Sequence, residues 1–262
     1  MVLTDAQIAA WLGSFLWPLF RIASFFMVIP IIGTQLVPMR VRMGLALVVT
    51  MAVAPLLGDM PQVDALSLNA LFITLQQVFI GTILGFMFVM LMQLFVVAGQ
   101  MIAMQMGLGF ASMVDPSNGV NVPVLSQIFL IAVTLMFLAM NGHLVMIEVV
   151  VESFRSWPVS ETILGAGGFG MDLLWEVIMR INWLFASALL LALPAITSVL
   201  IVNLSFGIMT RAAPQMNVFS LGFPIGMIFG LFIIWVSTGE LLPQFQKLSE
   251  ETYLFLRELQ RA

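Results

Sequence analysis

The stretch ALSLNALFITLQQVFIGTILGFMFVMLMQLFVVAGQMIAMQMGLGFASMV (65–114) decides how this chain folds, because it contains no Asp, Glu, Lys, Arg or His. The hydrocarbon core of a bilayer is about 30 Å thick, and roughly 20 apolar residues in a helix cross it. A helix also satisfies its own backbone hydrogen bonds, which lipid cannot do for it. From Leu68 onward the apolar block is longer than any bilayer core at about 1.5 Å per residue. It therefore projects beyond the membrane or bends near Gly99–Gly109. Directly after it comes SMVDPSNGVNVP (112–123), where a single aspartate beside a proline interrupts the apolar sequence.

The rest of the chain has the same character. Of its 262 residues 61% are hydrophobic and 8% charged, with mean hydropathy +1.12. A soluble domain carries about 25% charged residues, so the expected fold is an all-α polytopic membrane protein. The net charge of −4 offers no basic face to nucleic acid. The absence of cysteine removes disulfides and thiolate sites, and one histidine argues against a His-based metal centre. No cofactor motif is present: GAGGFG (165–170) lacks the Lys-Ser/Thr of a phosphate-binding loop and reads as a linker. The N-terminus MVLTDAQIAAW lacks a basic n-region, so its apolar run reads as retained.

Helix-length apolar blocks order the chain. The first, capped by Thr4 or Asp5, runs to about Ile32 through Pro18, Arg21 and Pro30 and reads as broken or tilted. The second, 43–57, is short for a span. The third is 68–114 and the fourth 122–147, followed by a polar segment from Glu148 to Asp172. The fifth is 173–209 and the sixth 218–242. The chain reads as one domain, 1–262, with hydrophobic helices over 1–242 and an amphipathic tail over 243–262. Orientation is in conflict: Arg40 and Arg42, Arg211, and the tail cations all favour the cytoplasmic side, yet a six-span count separates them.

Small residues at every fourth position mark faces where helices approach closely. They are Gly99, Ala103, Gly107 and Ala111 in the third block, Gly81 and Gly85 before them, and Gly222, Gly226 and Gly230 in the sixth. Ordinary packing explains such stripes. Beside the third-block stripe lie Gln100, Met101, Met104, Gln105 and Met106. Thioethers are flexible and can seal against changing shapes, though a Met-rich helix is also simply core. Pro116 forces Asp115 out of helix, Asn118-Gly119 suits a tight turn, and Pro123 suits a restart. Irregular backbone at membrane depth needs protein or a water-filled cavity around it. Residue chemistry alone leaves a plain external turn and a pathway lining both open. Glu152 with Arg155, and Glu176 with Arg180, are spaced for charge pairing along a helix.

The Gly-rich helix ending in GFASMVDPSNGVNVPVLSQ (109–127), the segment FLAMNGHLVMIEVVVESF (137–154) and IVNLSFGIMTRAAPQMNVFSLGFPIG (201–226) together resemble the FliR/SpaR/YscT/HrcT family of type III secretion export-gate subunits. The resemblance covers essentially the whole chain, and DPSNGVNVPVLSQ looks flagellar. It implies long, broken helical hairpins packing side by side in a helical export-gate assembly. The implied partners are several FliP-type and FliQ-type subunits, with FlhB-type and FlhA-type proteins beside them. The implied cargo is unfolded flagellar protein. The implied location is the bacterial inner membrane at the flagellar basal body, partly raised to the periplasmic side.

By motif match the family's channel plug falls within 107–123, on Phe110, Ala111, Ser112, Met113, Val114, Asp115, Pro116, Ser117, Asn118, Gly119, Val120, Asn121, Val122 and Pro123. Gln100, Met101, Met104, Gln105 and Met106 are candidates for the gasket beside it, although no motif assigns them individually. The implied mechanism is gating without enzymatic chemistry. The rival readings are a virulence-injectisome homologue, a passive scaffold and a small-solute secondary transporter.

Overall fold

The computed structural model describes residues 5–57, 60–61, 63, 67–108, 124–159, 171–212 and 222–261, and its regular elements there are all helices. Helix α1 is Asp5–Val28. It ends four residues before the apolar block does, because Ile31 turns left-handed at φ 72°. Gly33 closes this turn by donating to the Ile29 carbonyl at 2.8 Å. A Cβ there would stand 2.7 Å from the Met27 carbonyl oxygen, so no other residue fits. Helix α2 is Met39–Val53, with a single 3₁₀ turn at Ala54–Leu56. It starts earlier than the sequence reading placed it and takes in Arg40 and Arg42. With the 3₁₀ turn it reaches 18 residues, long enough to cross a membrane.

Helix α3, Leu68–Gln105, has 38 residues and is about 57 Å long at 1.5 Å per residue. Helix α4 (Val124–Ala139) and helix α5 (Gly142–Ser156) meet at a 72° bend. Asn141 makes that corner with φ 57°. The segment 148–156, read from sequence as the start of a polar linker, is therefore helix. Helix α6 is Met171–Ala212 and helix α7 is Phe223–Leu259. Pro18, Pro194 and Pro243 lie inside helices α1, α6 and α7 and break none of them. The tail from 243 is thus a continuation of α7. Among the described residues four helices are long and apolar enough to cross a membrane, or five if the bent α4–α5 pair is one span.

The chain forms two compact units. The first comprises Met1–Met90, Met140–Arg180 and Glu250–Ala262. Here α1 and α3 lie backbone to backbone. A Cβ on Gly81 would overlap the Arg21 carbonyl and the Ser24 hydroxyl, and one on Gly85 would come within 3.2 Å of the Phe25 carbonyl oxygen. Close approach of this kind is what small residues permit. Phe25 and Phe88 meet edge to face at 6.3 Å, and Trp17 packs on Ala70 and Ile73. The last turns of α7 join this unit by seating Leu256, Leu259 and Gln260 in it. The Gln260 amide donates to the Val149 carbonyl of α5 at 3.0 Å. Arg257 and Glu148 form an ion pair at 3.7 Å, with side chains 46% and 53% exposed. A pair that exposed is worth at most about 1 kcal/mol, so apolar burial holds the tail.

The second unit comprises Leu91–Ala139 and Ile181–Ser249. Its centre is the second half of α3, where Leu91, Leu94, Phe95, Ala98, Ile102 and Ala103 are buried. Phe95 meets Phe245 of α7 at 5.6 Å. A helix that is apolar all round needs cover on every side, and α3 is the most deeply buried of the membrane-length helices, although Met104 near its end stays exposed. Helix α6 and the first half of α7 lack such cover: Leu189, Leu193, Leu204, Ile228 and Trp235 are all exposed. Contiguous apolar surface of this kind marks a membrane or a partner protein.

Candidate functional site

The proposed plug, Phe110 to Pro123, lies outside the described residues. Its two anchors do not. On the N-terminal side α3 stops at Gly107, which takes φ 81°. The Gly107 amide donates to the Met104 carbonyl at 3.1 Å, and the Leu108 amide donates to the Ala103 carbonyl at 2.9 Å. These two bonds are the Schellman C-cap, in which a left-handed glycine satisfies the last helical carbonyls. Gly107 is therefore a helix terminator, not a continuation of the packing stripe. On the C-terminal side α4 begins at Val124.

Gly99 fixes how closely the two anchors approach. A Cβ there would stand 2.8 Å from the Phe129 ring and 2.9 Å from the Ser126 Cα. Ala103, one turn on, is fully buried. The end of α3 is also pinned to α7. Met106 is 2% exposed, and its side chain occupies the space over Gly230, with Sδ 2.8 Å from where a Cβ would be. Gly226, one turn earlier, would put a Cβ 3.4 Å from the Asn203 side-chain oxygen of α6, and Gly222 is buried where α7 begins. The methionines here do not share one face: Met106 is sunk in the unit, whereas Met104 is 71% exposed. Gln100, Met101 and Gln105 are half-buried between them.

Gly230→Ala is expected to be tolerated with a loss of about 1 kcal/mol, since Met106 is flexible and can repack. Thermal unfolding of the detergent-solubilised protein checks this. A loss as large as that of a backbone collision would show that Met106 has nowhere else to go.

The first unit holds a polar centre that the residue pattern revealed only as a lone charge. Arg21 is fully buried. Its Nε donates to the Gln77 Oε1 at 2.7 Å. Its Nη1 donates to the Ser153 carbonyl at 2.9 Å and to the Ser153 hydroxyl at 3.1 Å, and its Nη2 donates to the Trp157 carbonyl at 2.8 Å. The guanidinium also lies over the Phe154 ring, 4.2 Å from its centroid. Gln77 comes from α3, and the other partners form the C-terminal turn of α5 and Trp157 just after it, where the helix dipole favours a cation. Only a planar fork of five N–H groups reaches all of them. Helical periodicity places Arg21 on α1, but it cannot say that neutral groups from two distant segments will surround it.

The other charges sit differently. Glu152 is half-buried and Arg155 exposed on α5, and Glu176 is exposed on α6. Arg180 lies over the Phe255 ring at 4.6 Å and faces Glu251 and Glu258 of α7. Glu148 accepts from the Tyr253 hydroxyl at 3.0 Å. Arg180 with Phe255, and Glu148 with Tyr253, thus link helices within the first unit.

Comparison with known proteins gives the same direction along nearly the full length. Residues 12–252 match the family described as Bacterial export proteins, family 1. The chain is 34% identical over 258 residues to the flagellar biosynthetic protein FliR of Escherichia coli K12, covering 98% of this chain and 96% of that one. It is 33% identical to FliR of Pectobacterium carotovorum over 93% of this chain and 89% of that one. FliR of Bacillus subtilis is 26% identical over 86% of each. With four or five helices able to cross a bilayer, the chain is an all-α membrane protein belonging to family 1 of the bacterial export proteins, the family of the FliR proteins.

Proposed function

We propose that this chain is a subunit of the flagellar type III export gate. With FliP-type and FliQ-type subunits it forms the channel that passes unfolded flagellar proteins across the inner membrane, beside FlhB-type and FlhA-type proteins. Its 107–123 segment closes the channel at rest. The observation that carries this reading is the near-complete, end-to-end similarity to FliR of Escherichia coli. The relatives compared are flagellar, which favours the flagellar over the injectisome reading.

The helix geometry supports a gate. A charge-free helix is stopped by a C-cap at Gly107, and the chain resumes at Val124 on a helix packed tightly against it at Gly99. A segment held between two such rigid ends can stay closed at little entropic cost. The wide exposed apolar faces of α6 and α7 are surface that lipid or neighbouring subunits would cover, and the assembly proposed is one partly raised to the periplasmic side.

The test is complementation of a flagellated bacterium lacking its own FliR gene. The expected result is restored swimming, exported flagellar protein in the medium, and co-purification of this chain with other membrane subunits. Full-length protein in the membrane that neither restores export nor purifies with a partner would overturn the reading.

A further inference from the structure

The second unit contains a cavity of about 280 Å³ that opens between α6 and α7. Its inner wall is apolar, with Ile102 of α3 and Phe129 of α4. Its polar side chains are Ser237, Thr238, Glu240 and Gln244 of α7, and Glu240 alone among them carries a charge. Glu240 and Gln244 of α7 are one turn apart on the lining, and both are exposed. Pro194, also on the lining, has no N–H to give the Leu190 carbonyl four residues before it. The Thr238 hydroxyl spends its proton on the Ile234 carbonyl at 2.9 Å, so it too offers only lone pairs. Glu240 has no ion-pair partner among the described residues, and Lys247, two turns further along α7, does not reach it.

The site thus combines an apolar interior with one exposed carboxylate. A carboxylate on the flank of a membrane-length apolar helix is costly unless a cation meets it. Leu190 on the lining is 70% exposed, which gives an apolar helix somewhere to lie. We infer that the cavity receives a lysine or arginine side chain from an apolar helix of another polypeptide, its methylene stem in the apolar interior and its charged end at Glu240. Long basic side chains divide themselves this way between apolar and polar surroundings. A helix laid in a groove through one anchor is a recurrent mode of recognition. This inference rests on the reading of the chain as one subunit of an assembly.

The test uses the full-length chain in its native membrane, with a photo-crosslinking amino acid at Leu190, and maps the adduct by mass spectrometry. The expected adduct is a segment of another polypeptide within one helical turn of a lysine or arginine. Its yield is expected to be retained in Glu240→Asp and to fall by at least about tenfold in Glu240→Lys, since like charges brought together at an interface are strongly disfavoured. Exchanging the mapped basic residue for glutamate should restore the yield in Glu240→Lys. An adduct on lipid, on another copy of this chain or on a segment without a basic residue overturns the inference, as does a yield indifferent to Glu240→Lys. The same probe at Leu204, exposed on α6 away from the cavity, separates the two levels. Adducts there but none at Leu190 sink the cavity inference alone. No adduct to another polypeptide at either position sinks the subunit reading with it.

Discussion

Arg21→Met is expected to destabilise the protein by about 2–5 kcal/mol, since it strands buried neutral acceptors that lose a charged donor. The methionine fills the volume but donates nothing. The Trp157 carbonyl and the Gln77 side chain lose their donor, and each buried orphan costs about 1–3 kcal/mol. Gln77 is fully buried, and its Nε2 already has no partner among the described residues. Arg21→Lys is expected to lose nearly as much, because one ammonium cannot span Gln77, Ser153 and Trp157 together. Adding Gln77→Leu to Arg21→Met should recover part of the loss, since an apolar pair leaves one fewer polar group stranded. Denaturant unfolding of the solubilised protein reads all three variants. A double variant no better than Arg21→Met would show that Gln77 is not part of the network.

Gly99→Ala is expected to cost about 1–3 kcal/mol, as overpacking does where neighbours cannot move. The new methyl meets the Ser126 Cα at 2.9 Å and the Phe129 ring at 2.8 Å, so α3 and α4 must separate. They flank the 107–123 segment, and the same substitution is expected to loosen the closed gate. Gly44→Ala in α2 is the control, because nothing lies within 4 Å of the position. There alanine should stabilise by up to about 1 kcal/mol through helix propensity alone. Equal effects at 44 and 99 would mean that helix propensity, and not the approach of α4, sets the outcome.

Much of this was legible in the sequence. The long charge-free block is α3, although the helix ends at Gln105 and does not run on to Val114 as the block did. The sequence could not show why it stops at Gly107, because glycine at four-residue spacing looks the same whether it packs or caps. The Asn141–Gly142 corner was hidden by the unbroken apolar run on both sides of it. The boundary drawn between the sixth block and the tail fell at Pro243, yet a proline within a long helix held by tertiary packing bends or weakens it locally without ending it. The amphipathic tail looked separate because its exposed face is polar. Its buried stripe of Leu248, Thr252, Leu256 and Leu259 continues that of Leu241 and Phe245. Arg21 was visible as an intramembrane charge, but its neutral partners lie 56 to 136 residues away, beyond the reach of any local pattern.

The most direct measurement is ion conductance through the assembled gate carrying a deletion of residues 110–120, with assembly verified by co-purification. A closed, silent wild-type gate and a steady ion leak in the deletion are the expected results. A fully assembled deletion gate that conducts no more than wild type would contradict the assignment of 107–123 as the closing segment.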